Sequence, residues 1–330
     1  MITRQLGANG PVASAVGLGC MGMSDLYGAS DRAESVATIH AALDAGVTLL
    51  DTGDFYGMGD NEMLIAEALR GRPRDGVILS VKFGAQRDPD GNWIGFDGRP
   101  SAVKTALAYS LKRLGVDYLD IYRPARLDPN VPIEETVGAI ADMVKAGHVR
   151  FIGLSEVGSE TIRRAAAVHP IADLQIEYSL ISRGIESSIL PTCRALGIGV
   201  TAYGVLSRGL ISGHWQAGAQ TGRGDFRASI PRFQGENLGK NLALVEEIKR
   251  IADARGATVA QVAIAWVLSR GDDIVPLIGA RRRDRLAESI GALALTLDRE
   301  DLAALENLAS SVSGERYAKA QMAHLDSEGR

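Results

Sequence analysis

An acid, a phenol and an amine occupy positions from which they could act together on a carbonyl group: Asp51, Tyr56 and Lys82. Asp51 lies at the end of a short apolar run, Tyr56 follows in the next loop, and Lys82 lies inside the apolar run VILSVKFG. A buried lysine beside an aspartate stays charged and stabilises a phenolate, so we expect the pKa of Tyr56 to fall below its reference value of about 10. Such a tyrosine can give its proton to a carbonyl oxygen as hydride reaches the carbon. Singly, these residues are more often a turn cap, a packed ring and a rim lysine, and only their proximity would favour chemistry.

Four arginines crowd the start of a predicted helix near the C-terminus: Arg281, Arg282, Arg283 and Arg285. The helix macrodipole disfavours positive charge at this end. A bound phosphate would explain the placement, because helix N-terminal amides and guanidinium groups both suit phosphate. A solvated basic face is the alternative, and the dipole favours the phosphate site.

Hydride transfer requires a nicotinamide donor, and polar residues at the ends of three predicted strands could hold one. Ser155, Gln175 and Tyr203 can hydrogen-bond a carboxamide or stack on a nicotinamide ring. The first predicted strand is followed by GLGCMGM, which has neither the spacing nor the acidic residue of a Rossmann dinucleotide loop. A coenzyme would therefore be bound in another way.

These residues belong to a chain in which short apolar runs alternate with segments of helical period. Eight β-then-α units in 330 residues predict an α/β fold with parallel strands closed into a (β/α)8 TIM barrel, one domain over 1–330 with a polar C-terminal tail at 311–330. The predicted strands are 15–20, 47–52, 77–83, 118–123, 149–155, 173–179, 199–204 and 273–279.

Three loops should cover the ends of this barrel. The turn pair Asn9-Gly10 predicts an N-terminal β-hairpin that plugs one end. Long loops at 84–100 and 204–239 follow the third and seventh strands, so they would lie on the C-terminal face, where barrel enzymes bind their substrates. Trp93 is expected to be exposed in the first of them. Both loops read as lids, with mobile inserts as the alternative.

Composition excludes several classes of protein. Lys plus Arg is 36 and Asp plus Glu is 40, and the net charge of −4 argues against a nucleic-acid-binding protein. No apolar run approaches the about 18 residues of a spanning helix, and MITRQLGANG lacks an apolar signal region. Cys20 and Cys193 read as buried free thiols, which fit a reducing cytosol. We therefore expect a cytoplasmic, monomeric protein without a metal site.

Several segments, in order, resemble the aldo-keto reductase family. The segment LLDTGDFYGMGDNEMLIAEAL resembles the family's signature that contains Asp and Tyr, and VILSVKFG resembles the family's strand that carries a lysine. Four further segments of the chain resemble the family's coenzyme-binding segments: VRFIGLSEV, LQIEYSLISRGIE, AYGVLSRGLISG and VPLIGARRRDRLAES. The similarity runs from about Arg4 to Tyr317, and the GLSE strand is typical of the bacterial and plant branch that contains perakine-reductase-like enzymes.

The resemblance implies a barrel that binds NADPH and reduces aldehydes or ketones. Tyr56 would be the general acid, Lys82 would lower its pKa, and Asp51 would pair with Lys82. The coenzyme-binding positions implied by the family are Ser155, Gln175 and Tyr203 at the nicotinamide; Leu206, Ser207, Arg208 and Gly209 at the pyrophosphate; Arg281 and Arg285 at the 2′-phosphate; Glu288 at the adenine; and Gly22, Met23, Asp51 and Gly279 along the same cleft. Ser289 is also assigned to the adenine, although the family often has Asn at this position. The substrate pocket would contain Tyr56, Trp93, Ala125 and Arg126. Aromatic residues in the lids (Trp93, Trp215, Phe226, Phe233) suggest an apolar guest.

The chain departs from the family at the end of the fourth strand, where a histidine is usual. Aligning RLDPNVPIEETVGAI places Ala125 at that position, and by position none of the five histidines replaces it. The missing donor would cost about 10² to 10³ in rate, so we expect a slower or differently selective reductase with a roomier pocket. The flanking Arg123 and Arg126 are expected to pair with Asp128 or Glu134, and an oxygen-stabilising role for Arg126 is the alternative.

Two other functions remain open from the sequence. One is a non-catalytic NADPH-binding sensor or regulatory subunit, since some family members that lack the histidine bind coenzyme without meaningful turnover. The other is a phosphate-binding lyase or isomerase in which Lys82 forms a Schiff base.

Overall fold

The computed structural model describes residues 1–24, 26–215, 222 and 225–329. Its strands are β1 Thr3–Gln5, β2 Val12–Ser14, β3 Gly17–Gly19, β4 Leu49–Gly53, β5 Ile78–Phe83, β6 Ala85–Arg87, β7 Trp93–Phe96, β8 Leu119–Pro124, β9 Val149–Ser155, β10 Ile171–Glu177, β11 Gly199–Tyr203 and β12 Ile274–Ile278. Its α-helices are α1 Arg32–Asp44, α2 Asp60–Leu69, α3 Pro100–Leu114, α4 Ile133–Lys145, α5 Ser159–Val168, α6 Ile189–Ala195, α7 Gly235–Ala254, α8 Val259–Ser269, α9 Arg283–Ile290, α10 Arg299–Glu306 and α11 Lys319–Met322.

Eight of these strands form a closed parallel barrel, in the order β3-β4-β5-β8-β9-β10-β11-β12. Each is one of the apolar runs predicted from the sequence, so the (β/α)8 fold is confirmed. The strands are buried on both faces because side chains fill the barrel interior on one side and helices cover the other. Parallel strands bring their carboxyl ends to one rim, and the polar residues at these ends therefore meet there.

The predicted N-terminal hairpin is present and closes the opposite end. Strands β1 and β2 pair antiparallel around the Asn9-Gly10 turn. Leu6 and Ala13 from this hairpin pack in one apolar cluster with the inward-facing barrel residues Leu49, Ile78, Ile121, Val275 and Leu277. Gly10 is required in the turn, since a Cβ there would lie 1.9 Å from the carbonyl oxygen of Leu6.

Helix termini follow local signals. Asp31 caps α1 by accepting from the backbone N–H of Glu34 at 2.9 Å, and Gly46 follows the end of this helix with φ of +86°. Thr258 and Gln261 form a reciprocal capping box at the start of α8. No single described helix is long and apolar enough to span a membrane, although the bent pair α7 and α8 reaches that length and composition together.

The two long loops carry more structure than the sequence predicts. The 84–100 loop forms the antiparallel hairpin β6–β7, with Trp93 46% exposed at its start. The 204–239 loop contains 3₁₀ turns at Ser207–Gly209, Phe226–Ser229 and Pro231–Phe233, and α7 begins at Gly235. Residues 216–221, 223 and 224 of this loop lie outside the described residues. Cys20 and Cys193 are buried and free, which confirms that prediction.

Candidate active site

The predicted acid and amine form a buried ion pair at the carboxyl ends of β4 and β5. Lys82 Nζ lies 2.5 Å from Asp51 Oδ1 and donates to the carbonyl oxygen of Thr52 at 3.2 Å. The other carboxylate oxygen, Oδ2, accepts from Ser80 Oγ at 2.8 Å and from Gln175 Nε2 at 2.6 Å. Burial lowers the pKa of Lys82, while the charge of Asp51 opposes that shift. Three neighbouring groups, the carbonyl oxygen of Thr52, the hydroxyl of Ser80 and the amide of Gln175, thus hold the pair in place.

Tyr56 lies directly above this pair. It opens a 3₁₀ turn, Tyr56–Gly59, in which Gly57 and Met58 have left-handed backbone conformations. Its ring centroid is 5.2 Å from Lys82 Nζ, and the ring packs edge-to-face against Phe55 at 4.7 Å. The structure therefore brings together the three residues that the sequence singled out.

The prediction that the pKa of Tyr56 falls is wrong. Burial raises this pKa well above its ordinary value, and the negative charge of Asp51 raises it further, while the charge of Arg126 acts in the opposite direction. The ammonium of Lys82 is already paired with Asp51, so little of its field is free to stabilise a phenolate. Tyr56 consequently holds its proton at neutral pH, as a general acid must before it reacts.

The predicted nicotinamide residues lie on three neighbouring strands of the barrel wall. Gln175 is in register with Ser155 on β9 and with Thr201 on β11. Ser155 is 1% exposed, and Tyr203 ends β11 two residues beyond Thr201. The amide of Gln175 bonds to Asp51, which joins the coenzyme side of the rim to the proton-donating side.

A buried charged cluster, Glu156, Glu177, Arg208 and Arg316, lies beside them and was missed from the sequence. Arg316 Nη2 donates to Glu156 Oε2 at 2.6 Å, and Arg208 Nη2 donates to Glu177 Oε2 at 2.8 Å. Burial would raise the pKa of Glu156, but the charge and hydrogen bonds of Arg316 lower it well below its usual range. The sequence carried a signal for this cluster, since Glu156 and Glu177 lie at the ends of two adjacent predicted strands. Buried carboxylates there require cations.

Arg316 and Tyr317 come from the segment that the sequence predicts as a polar tail. Arg316 is 8% exposed, and the hydroxyl of Tyr317 lies 2.8 Å from that of Tyr203. The guanidinium of Arg208 lies 4.4 Å from the centroid of the Tyr317 ring. Residues of the tail thus form part of the wall of the barrel mouth.

The segment Leu206–Gly209 has the features of an anion-binding turn. Ser207, Arg208 and Gly209 have φ of +45°, +58° and +96°, so the backbone is sharply turned. Three buried polar atoms in and after this segment have no hydrogen-bond partner in the described structure: Ser207 Oγ, Arg208 Nη1 and Trp215 Nε1. Unsatisfied buried donors are costly, and a bound phosphate group would satisfy them. These residues therefore fit a coenzyme pyrophosphate.

The arginine segment divides into two pairs. Arg282 bonds to Asp284 and Arg283 to Glu34, and both side chains are exposed. Arg281 lies against Gly22, whose added Cβ would be 3.4 Å from its Cδ, and donates to the carbonyl oxygens of Tyr27 and Ala29.

Arg285 lies in a small cluster with Glu288 and His214. Its Nη1 is 3.2 Å from Glu288 Oε2 and 2.5 Å from His214 Nε2. Ser289 and Met23 are buried, and a Cβ added at Gly279 would meet nothing within 4 Å. The contacts of His214 with Arg285 and Glu288 were not expected from its position in the sequence.

The expected partners of the two arginines around Ala125 are wrong. Arg123 points into the barrel, where it pairs with Asp173 at 3.0 Å and donates to Ser80 Oγ at 2.9 Å. Asp128 accepts instead from the backbone of Gly98 and Asn130, and Glu134 pairs with Arg164. Arg123 lies within β8 and points into the barrel, whereas Arg126 follows Pro124, where the strand has ended. The two arginines therefore do not share a partner.

Ala125 and Arg126 lie at the rim between β5 and β9. The backbone N–H of Ala125 donates to the carbonyl oxygen of Phe83 at 2.8 Å, and the residue is 2% exposed. Arg126 Nη1 donates to the carbonyl oxygen of Ala125 at 2.6 Å and lies 3.4 Å from Ser155 Oγ.

The aromatic residues of the lids divide into two groups. Trp93 packs edge-to-face on Phe55 with centroids 5.7 Å apart, which places it next to the residue that contacts Tyr56. Trp215 packs on Phe233 at 4.9 Å, so these two stabilise the loop itself. Phe226 contacts Tyr27 and Tyr317. Trp93 thus contacts the neighbour of Tyr56, whereas Phe226 contacts an aromatic residue of the C-terminal segment.

Comparison with known proteins gives a family match and close structural neighbours. The model of the Aldo/keto reductase family matches residues 15–310. A glycerol dehydrogenase from Gluconobacter oxydans, AKR11B4, is 29% identical with a TM-score of 0.86, over 95% of this chain and 96% of that one. The thermostable aldo-keto reductase Tm1743, solved with the inhibitor epalrestat, is 26% identical with a TM-score of 0.75, over 93% of this chain and 100% of that one.

Proposed function

The chain belongs to the aldo/keto reductase family, and from this premise we propose that it is an NADPH-dependent oxidoreductase that reduces aldehydes or ketones to alcohols. The observation that carries the proposal is the position of Tyr56 over the Lys82–Asp51 pair at the rim of the barrel. NADPH would supply the hydride. The residues of the chain bind and orient the reactants and deliver one proton.

Tyr56 is the general acid in this proposal. Its raised pKa keeps the phenol protonated until negative charge develops on the substrate oxygen. The Lys82–Asp51 pair holds a fixed dipole beneath the ring, and Gln175 and Ser80 keep Asp51 in place. Preorganised groups of this kind stabilise a developing charge without reorganising during the reaction.

In this proposal the coenzyme lies across the rim formed by the carboxyl ends of the barrel strands. Ser155, Gln175 and Tyr203 would hold the nicotinamide end, and Leu206 to Gly209 the pyrophosphate. The unpartnered buried atoms of Ser207 and Arg208 support this assignment. Arg281 and Arg285 would bind the 2′-phosphate, which favours NADPH over NADH, with Glu288 and Ser289 near the adenine. Gly22, Met23 and Gly279 complete the cleft.

The substrate would enter between Trp93 and Arg126, above Ala125. The exposed Trp93 ring and its contact with Phe55 support a substrate with an apolar or aromatic side. The GLSE strand supports placement in the branch with perakine-reductase-like enzymes, with Ala125 in place of the usual histidine. The buried free thiols support a cytoplasmic location, and the single closed barrel supports one domain, which we propose is monomeric.

The test measures NADPH consumption with a panel of aldehydes, ketones and quinones, and NADP⁺ reduction with glycerol because one neighbour is a glycerol dehydrogenase. A binding titration monitors coenzyme fluorescence in the same preparation. Turnover with at least one carbonyl compound is expected.

Ala125 favours a second candidate function, a coenzyme-binding sensor without turnover. Tight NADPH binding with no consumption on any member of the panel would select that function and contradict the reductase.

A further inference from the structure

Arg126 is a half-buried cation at the active-site rim without a carboxylate partner among the described residues. Its Nη1 uses both N–H groups, one on the carbonyl oxygen of Ala125 and one toward Ser155 Oγ. No described residue accepts a hydrogen bond from Nε or Nη2. A guanidinium has five N–H groups in a planar fork, so three of these donors remain available at the rim.

The other cations of the mouth are committed to acids. Lys82 is paired with Asp51, Arg123 with Asp173, Arg208 with Glu177 and Arg316 with Glu156. These pairs neutralise each other locally, whereas Arg126 has no carboxylate partner among the described residues to neutralise its charge. Its charge is the foremost influence that lowers the pKa of Tyr56 against burial, which places it within electrostatic reach of the acid.

The backbone around Ala125 accounts for where the guanidinium of Arg126 lies. Ala125 N–H is bonded to the carbonyl oxygen of Phe83, next to Lys82, and Arg126 Nη1 lies near Ser155 across the rim. The guanidinium therefore spans the gap between the proton-donating side and the nicotinamide side. A histidine side chain at position 125 would start from the same gap. Ala125 has only a methyl group, so the side-chain donors at this part of the rim come from Arg126 and not from position 125.

We propose that Arg126 donates a hydrogen bond to the substrate carbonyl oxygen and is a second catalytic residue beside Tyr56; the proposal rests on the proposed reductase function. The carbonyl carbon gains hydride, the π electrons pass to oxygen, and Tyr56 transfers its proton to that oxygen. Arg126 keeps all its protons and stabilises the charge while it develops. A guanidinium suits this role because it stays charged at every working pH.

The variants Arg126→Gln and Arg126→Lys test the role, with Arg99→Gln as the matched control. Arg99 is an exposed arginine paired with Asp97 at the start of α3, outside the catalytic machinery. With a neutral aromatic aldehyde and saturating NADPH, Arg126→Gln is expected to lose about 10²-fold in kcat, because one oxyanion donor is typically worth that factor. Arg126→Lys keeps a charge, so its kcat should lie between those of the parent and of Arg126→Gln. The kcat of Arg99→Gln should match that of the parent.

Two further readouts separate catalysis from folding and from coenzyme binding. The NADPH dissociation constant and the melting temperature of Arg126→Gln should stay close to those of the parent. In the Ala125→His background, where an imidazole supplies a donor, the loss caused by Arg126→Gln should shrink to less than tenfold. An equal loss in both backgrounds would overturn the proposal.

Two other outcomes overturn it as well. One is an unchanged kcat of Arg126→Gln on neutral aldehydes. The other is a loss confined to the KM of carboxylate-bearing aldehydes, which would make Arg126 a substrate-anchoring residue. A parent protein that binds NADPH without consuming it would instead refute the reductase function itself. Active parent protein with inactive Tyr56→Phe and fully active Arg126→Gln would refute only the role of Arg126.

Discussion

The guanidinium of Arg316 donates to both carboxylate oxygens of Glu156, at 2.6 Å and 3.0 Å, and so joins the end of β9 to a residue 160 positions later. Arg316 also lies 3.4 Å from Glu177. One side chain from the C-terminal segment thus neutralises acids on two adjacent strands, which makes the segment part of the barrel mouth.

Arg316→Ala should lower the free energy of unfolding by about 3–5 kcal/mol, because it leaves the buried carboxylate of Glu156 without its cation. Urea denaturation at pH 7 measures the change. Arg250→Ala is the control, since Arg250 forms an exposed pair with Glu247 and should change stability by less than about 0.5 kcal/mol. Equal effects of the two substitutions would show that the cluster is not required for folding stability.

Tyr56→Phe should reduce kcat by about 10²-fold or more, since general acid catalysis contributes about 10² to 10⁴. The ring and its contact with Phe55 remain, so NADPH affinity should not change. Steady-state kinetics and a fluorescence titration check both points. Tyr109→Phe removes a hydroxyl from an exposed ring and should be silent. Full activity of Tyr56→Phe would remove the phenol from the mechanism.

Ala125→His should raise kcat on simple aldehydes by roughly tenfold. The gain is smaller than the about 10² to 10³ that one oxyanion donor can supply, because Arg126 already provides part of this stabilisation in our proposal. Initial rates with saturating NADPH measure it. An Ala125→His variant no faster than the parent on any aldehyde would contradict the prediction, provided that its melting temperature shows it to be folded.

Arg285→Ala should weaken NADPH binding by roughly 10- to 100-fold, because hydrogen bonds to charged groups are worth about 1.5–3 kcal/mol. NADH lacks the 2′-phosphate, so its affinity should stay the same. Titrations with both coenzymes measure the ratio. Arg282→Ala is the control, as Arg282 is exposed and bonded to Asp284. Equal weakening of NADPH and NADH would place the phosphate elsewhere.

Asp54→Asn should stabilise the protein at high pH. Burial and the charge of Glu62 raise the pKa of Asp54 to about 7, above the ordinary value of 3.8. The folded state therefore binds this proton more tightly than the unfolded state, and the resulting stability is complete below pH 3.8 and lost as pH rises through 7. Asparagine removes the penalty, so the variant should exceed the parent by up to about 4 kcal/mol at pH 8 and by progressively less toward pH 4. A difference independent of pH, measured by denaturation, would contradict this.

The sequence predicts the barrel well because its signals are local. Every barrel strand is a short apolar run followed by a helical period, and Asp31 and Gly46 mark the ends of α1. The approach of Asp51, Tyr56 and Lys82 also follows from the fold, since parallel strands end at one rim.

The failures concern partners chosen in three dimensions. Arg123 has Asp128 close in sequence but faces Asp173, fifty residues away, because the strand turns its side chain inward. The pKa of Tyr56 depends on burial and on the pairing of Lys82, neither of which residue spacing reveals. The polar composition of 311–330 indicated a tail, yet Arg316 and Tyr317 meet Glu156 and Tyr203 across the mouth.

The bond between Glu156 and Arg316 also sets an order of events during synthesis. A ribosome delivers all eight barrel strands before Arg316, so the carboxylate of Glu156 lacks its arginine at the rim of the nascent barrel until the last stretch of the chain has emerged. Docking of that stretch is consequently a late step, and a translation product that stops short of it would retain the scaffold but expose an acidic opening to chaperones and proteases.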